Sequence, residues 1–205
     1  MIVIVDYGMG NIRSLYNALD FCFADVNVTS NTEEIAAADR IILPGVGAFG
    51  DAIRAIRNLG LEEVLTHQAL VVKKPILGIC LGMQLFAKDS QEYGAEKGLG
   101  WIDSQVEYMK PSAQVKVPQV GWNQLKIVGS DWLFRGLPSI QNDVYFVHSL
   151  HMVCNDKTDL AATTYHGEEI TAAIARDNLV ATQFHPEKSQ DNGIQILRNW
   201  LEREF

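Results

Sequence analysis

Cysteine is scarce in this chain: Cys22, Cys80 and Cys154 are the only three in 205 residues, far apart and with no Cys-x-x-Cys. Neither a disulfide framework nor a zinc site follows from such a set. Positive charge is also in short supply. Lys and Arg number 17 against 25 Asp and Glu, a net charge of -8, so the basic face of a nucleic-acid binder is missing. No apolar run is long enough to cross a bilayer, and Met1-Ile2-Val3-Ile4-Val5-Asp6 has no basic lead-in of a signal peptide. Repeats, low-complexity tracts and linkers are absent. These absences predict a cytoplasmic protein with no metal, membrane or nucleic-acid partner, folded as one domain over residues 1–205. What the chain does have is apolar residues, 47%, enough for a substantial core.

In the first half, strands and helices alternate. Ile2-Val3-Ile4-Val5, Val26-Asn27-Val28-Thr29, Arg40-Ile41-Ile42-Leu43 and Pro75-Ile76-Leu77 read as strands, and the continuous β-branched runs among them suit strands buried on both faces. Ile12, Leu15, Ala18, Leu19 and Cys22 repeat at helical spacing. Asn31 is placed to cap a helix, Asp51 to cap another, and a further helical pattern covers residues 61–72. Such alternation predicts parallel βαβ units, whose functional crevice lies at the strands' carboxyl ends. Three loops then share one edge: residues 6–10, residues 44–50 and the turn at Cys80. Gly8 and Gly10 invite a dinucleotide-binding reading, but Arg13 stands where a third glycine is required; no cofactor is expected. Residues 88–100 read as a loop. Beyond it, short β-like runs at 101–108, 115–120, 123–128, 143–147, 160–165, 170–175 and 179–183 predict added antiparallel strands, before a final helix from about Asp191.

The most informative stretch is Gly78-Ile79-Cys80-Leu81-Gly82-Met83-Gln84. A strand runs into a sharp turn with cysteine at its apex and then into a helix, the form of a nucleophile elbow. A cysteine nucleophile needs a base, an orienter for that base and donors for an oxyanion. Of five histidines, His67 and His166 lie in polar stretches and read as surface residues, and His148 and His151 follow an apolar strand. His185 ends a strand as His185-Pro186-Glu187. Side chains two apart on an extended segment point the same way, so Glu187 can hold the imidazole. Spacing alone does not separate this from a surface ion pair.

These motifs decide more together. Gly78-Ile79-Cys80-Leu81-Gly82-Met83-Gln84, Gln183-Phe184-His185-Pro186-Glu187-Lys188-Ser189 and Pro44-Gly45-Val46-Gly47 resemble the class I, triad-type glutamine amidotransferases. Asp6-Tyr7-Gly8-Met9-Gly10-Asn11, Gly121-Trp122-Asn123 and Tyr145-Phe146-Val147-His148-Ser149 resemble, within them, the glutaminase subunits of imidazole glycerol phosphate synthase. The resemblance spans nearly the whole chain. It implies a flavodoxin-like α/β domain with a central, mostly parallel sheet and helices on both faces. It also implies that Cys80 attacks L-glutamine, with His185 as acid and base and Glu187 as orienter. Oxyanion donors would come from the N–H of Leu81 and from Gly45-Val46-Gly47, and Gln84, Ser149 and Leu150 would hold glutamine. The ammonia would pass to a (β/α)8-barrel cyclase partner in a heterodimer, across a face that includes Asn11, Trp122, Tyr145 and Lys188. Glycines on both sides of Val46 let its peptide turn cheaply, so the chain alone is expected to be a poor glutaminase.

Three departures from the family pattern stand out: Pro118-Gln119 where Pro-His is usual, Leu150-His151 where aromatics are usual, and a more polar Leu85-Phe86-Ala87-Lys88. They bear on the pathway, not on the triad. A paralogue supplying ammonia for amidated surface sugars is the alternative acceptor. A catalytically silent binding module would predict a damaged triad, and a different cysteine enzyme would leave the glutamine-site motifs without a purpose.

Overall fold

The computed structural model describes residues 1–113 and 115–205. Its first half is β1 (Ile2–Val5), α1 (Ile12–Phe21), β2 (Val26–Thr29), α2 (Thr32–Ala37), β3 (Arg40–Leu43), α3 (Phe49–Asn58), α4 (Leu61–Thr66), β4 (Ile76–Ile79) and α5 (Leu81–Gln84). The second half is β5 (Asp89–Ser90), β6 (Glu96–Lys97), β7 (Ser104–Tyr108), β8 (Gln119–Gln124), β9 (Lys126–Ile127), β10 (Asp143–His148), β11 (Leu150–Cys154), β12 (Leu160–Tyr165), β13 (Glu169–Arg176), β14 (Leu179–Thr182) and α6 (Gln190–Glu202). The main sheet has the order β2-β1-β3-β4-β14-β13-β12-β9. Pairings from β2 through β14 are parallel, and those from β14 to β9 antiparallel. The expected α/β sheet with antiparallel additions is therefore present.

Period-two alternation with both faces covered explains why β1, β4 and residues 41–43 of β3 are apolar throughout. Val3, Val5, Ile41, Leu43 and Ile76 turn to one face, where α2, α3 and α4 cover them. Ile2, Ile4, Ile42, Leu77 and Ile79 turn to the other, under α1 and α6. Both faces are buried, as a parallel sheet requires. The four-stranded sheet β11-β7-β5-β6 extends the first layer and the β8–β10 pair the second.

Several local expectations change. Asn31 does cap α2, its Oδ1 accepting from the N–H groups of Glu33 at 2.8 Å and Glu34 at 3.1 Å. Asp51 does not cap α3. That helix starts at Phe49, whose N–H donates to Glu92 Oε2 at 2.5 Å, so its cap arrives from a distant loop. Residues 88–100 contain the β5–β6 hairpin, and residues 67–71 close α4 with a wider turn. The run expected at 115–120 begins pairing only at Gln119; residue 114 lies outside the described residues. Strand β11, unforeseen, pairs with β7. The more polar look of residues 85–88 misleads too: Leu85, Phe86 and Ala87 are fully buried.

Candidate active site

Register brings the site together. Strands β4 and β14 are parallel neighbours with Ile79 opposite Thr182, and the Cys80 N–H donates to the Thr182 carbonyl at 2.7 Å. Each strand then leaves the sheet at the same edge, one into Cys80 and the other into Gln183, Phe184 and His185. Cys80 has φ +55° and ψ -108°, a strained conformation for a non-glycine residue. The elbow is held by close packing. A Cβ on Gly82 would sit 1.8 Å from the Leu43 carbonyl oxygen, and one on Gly45 would sit 2.7 Å from Leu81 Cβ and 2.7 Å from the Tyr7 hydroxyl. Helix α5 is a single turn, so its dipole is weaker than the helix expected after Cys80.

Behind Cys80, His185 Nδ1 and Glu187 Oε1 are 2.8 Å apart, with both side chains almost fully buried. The surface-pair reading is thereby excluded. His185 Nε2 is also buried and makes no hydrogen bond among the described residues, leaving that atom for proton transfer. Burial works to lower the His185 pKa, but the nearby Cys80 and Glu187 side chains outweigh it and push it up to about 9. The backbone at His185 is tied down independently: its N–H donates to the Tyr145 carbonyl at 3.0 Å, and Ser189 Oγ donates to its carbonyl at 2.6 Å.

A pocket of about 380 Å³ opens over the sulfur, lined by residues including Val46, Gly47, Leu81, Gln84, Ser149 and Leu150. That volume lies within the range of small-molecule sites. Leu81 is the first residue of α5, so its N–H has no helical acceptor. Within the Gly45-Val46-Gly47 segment expected to supply the other donor, the Val46 N–H is directed elsewhere: it donates to the Met9 carbonyl at 3.3 Å. Gly47, at φ +103°, and the exposed Val46 form the outer wall. Gln84 faces the pocket with its amide nitrogen already committed, to the Leu150 carbonyl at 3.0 Å and to Gln183 Oε1 at 3.1 Å. Only its oxygen is left to meet a ligand.

Glu92 and the direction of Gln183 escaped the sequence reading, whereas a structural role was expected of one of His148 and His151. Glu92 lines the pocket as its one carboxylate among the lining residues that is not in the triad, fixed by capping α3. Nothing in the loop around it signals this; contact with α3 is purely tertiary. His148 is buried and structural, with Nδ1 2.8 Å from the Leu150 carbonyl and Nε2 2.9 Å from the Gln119 side-chain oxygen. Burial lowers its pKa to about 4, so near neutrality it carries one N–H, spent on the carbonyl. The Gln119 amide then has to present its nitrogen to Nε2, which gives the unusual Gln119 a partner. Gln183, fully buried, points its amide nitrogen at Cys80 Sγ from 3.7 Å.

Of the expected interface residues, Trp122 and Tyr145 are cross-strand neighbours of β8 and β10 in an edge-on ring contact, and Lys188 Nζ lies 6.0 Å from the Tyr145 ring centre. Asn11 lines a narrow crevice with His185 and Glu187, the residue before Lys188. His67 is exposed as expected, while His166 is half-buried with Nε2 2.8 Å from the Lys116 carbonyl. No group of His, Cys, Asp and Glu among the described residues is arranged to hold a metal, and no described helix is long and apolar enough to cross a membrane.

Comparison with known proteins agrees with this geometry. The family model for class-I glutamine amidotransferases matches residues 3–203. The chain is similar to imidazole glycerol phosphate synthase subunit HisH 2 of Vibrio vulnificus, 47% identical with 98% of this chain and 94% of the relative covered. It is 42% identical to the HisH 2 subunit of Nitrobacter winogradskyi, over 98% of this chain and 97% of the relative. Among solved structures, a glutamine amidotransferase shares the fold with a TM-score of 0.73 at 20% identity, over 98% of each chain. The chain belongs to the class-I glutamine amidotransferases.

Proposed function

We propose that this chain is the glutaminase subunit of imidazole glycerol phosphate synthase and hydrolyses L-glutamine to glutamate and ammonia. The observation that carries the reading is the buried His185–Glu187 pair beside the strained Cys80, a nucleophile, base and orienter at one sheet edge. Cys80 gives its proton to His185, and the sulfur attacks the side-chain amide carbon of glutamine. The Leu81 N–H receives the oxyanion. The C–N bond breaks as His185 protonates the departing ammonia, leaving a thioester. His185 then takes a proton from water, whose oxygen attacks the thioester; the C–S bond breaks, glutamate is released and His185 returns the proton to the sulfur. Glu92 offers its carboxylate to the substrate's α-ammonium, and Gln84, Ser149 and Leu150 line the rest. Ammonia passes to a (β/α)8-barrel cyclase subunit docked over Trp122, Tyr145, Lys188 and Asn11.

The Val46–Met9 hydrogen bond supports a conditional enzyme, because it keeps one oxyanion donor off the site until the residue 45–47 loop turns. Glutamine turnover with the barrel subunit and its substrate tests the function: Cys80→Ala should abolish it, a loss on the order of ten thousandfold or more. Retained activity in that variant would refute the assignment. A second reading, ammonia supply for surface-sugar amidation by a paralogue, draws support from the departures at Gln119 and at Leu150-His151. Rescue of histidine growth in a strain lacking its own glutaminase subunit separates the two.

A further inference from the structure

The proposed triad leaves one buried polar group at the nucleophile without a task. Gln183 is fully buried and its side-chain amide meets Cys80 Sγ at 3.7 Å, while the Val147 carbonyl lies at 3.9 Å and His185 interacts with the sulfur as the proposed base. Amide oxygen and nitrogen are easily confused, but here the orientation follows from a chain of necessity. The Leu150 carbonyl can only accept, so the Gln84 group facing it at 3.0 Å is the NH2. The same nitrogen meets the Gln183 amide at 3.1 Å, so Gln183 presents its oxygen there. Its own NH2 is thereby turned to the sulfur. A backbone carbonyl, anchored in addition by the His148 ring, fixes the direction of an N–H two side chains away.

We propose that Gln183 is a catalytic residue that donates an N–H to the sulfur of Cys80, with Gln84 as the positioning residue that holds its amide in that orientation. Besides His185, the sulfur meets these two groups, and they serve different protonation states. The Val147 carbonyl suits the S–H, and the Gln183 N–H suits the thiolate, since a hydrogen bond to an ionised acceptor is about twice as strong as a neutral one. Gln183 therefore favours the attacking form and orients its lone pair, and it does so again when the thiolate leaves the acyl intermediate. The dual use of Gln84, facing the pocket and fixing Gln183, couples substrate contact to the geometry of the nucleophile. This inference rests on the preceding section for the identity of the nucleophile.

Two variants separate donation from scaffolding. Gln183→Met removes both amide atoms; Gln183→Glu keeps the oxygen that Gln84 needs but turns an acceptor toward the sulfur. Each is compared with the parent chain by alkylation of Cys80 with iodoacetamide from pH 6 to 9, and by kcat and KM for glutamine with the barrel subunit. Donation predicts a loss of about ten- to a hundredfold in alkylation rate at pH 7 and in kcat for Gln183→Met, at nearly constant KM. It predicts that Gln183→Glu falls progressively further below Gln183→Met as rising pH ionises the new carboxyl. Parent-like rates in Gln183→Glu, or a raised KM at unchanged kcat, would overturn the proposal in favour of a scaffold. Should Gln183→Met fail to fold, the pH trend of Gln183→Glu decides alone. Alkylation needs no glutamine, so a chain without glutaminase activity would refute the functional reading while leaving this test intact.

Discussion

The elbow at Cys80 and the loop after β3 face the same pocket and are held in opposite ways. On the elbow, Gly82 has no room for even a methyl group, the Cys80 N–H is locked to β14, and nearly every neighbour is buried. On the loop, Val46 is 40% exposed, Gly47 adopts a left-handed conformation, and one 3.3 Å hydrogen bond to Met9 holds the Val46 N–H. Rigid packing stores the strain that presents the nucleophile; a lightly held peptide leaves an oxyanion donor adjustable. The difference teaches that reactivity is built into the sheet and readiness into a loop, which suits an ammonia source that should act only beside its consumer.

The comparison sharpens first on the rigid side. Glu187→Gln should lower turnover by at least about a hundredfold, with or without the partner, because the imidazole loses its orienter. It should also shift the alkaline limb. The reactive state is the thiolate–imidazolium pair left once Cys80 has given its proton to His185; with that imidazolium held up to about 9, kcat/KM falls as pH rises through that value, and removing the carboxylate moves the fall to lower pH. The linked stability has the same sign. The raised pKa contributes stability that is full below the ordinary histidine value and lost as pH rises through about 9. Melting curves from pH 6 to 10 should therefore decline less for Glu187→Gln than for the parent.

Gly82→Ala comes next. Its methyl group must push the elbow from the Leu43 carbonyl, costing about 1–3 kcal/mol by overpacking and about a hundredfold in turnover by displacing Cys80. Denaturant melts and assays on the same preparation check both. Gly47→Ala should be mildest. A side chain there meets both the left-handed backbone and Met9 Cε at 2.8 Å, so loop turning is hindered. The partner-stimulated rate should fall about tenfold, and by more than turnover of the chain alone.

Much of this arrangement was legible in the sequence where local pattern and tertiary structure agree. Residues 2–5 of β1 and 41–43 of β3 are buried on both faces because nothing in them is polar. His185-Pro186-Glu187 was legible as a pair, but β14 ends at Thr182 and Pro186–Lys188 form a 3-10 turn. A tight turn, and not the expected extended strand end, brings Glu187 to His185. Contacts across the fold left no such trace. Glu92 caps α3 from 43 residues away, Leu150-His151-Met152-Val153-Cys154 hides a strand behind a buried histidine, and the Val46 N–H finds Met9 only once the two edge loops meet. Gln183 was visible only as part of a motif; its direction depends on Gln84 and on the carbonyl of a residue on another strand.

The measurement closest to the central claim is glutamine turnover by the purified chain, alone and with the barrel subunit carrying its substrate. On the proposed function, the Val46 N–H bonded to Met9 leaves the chain alone short of one oxyanion donor, and the partner should raise kcat by about a hundredfold to a thousandfold. Equal turnover in the two conditions would contradict the account.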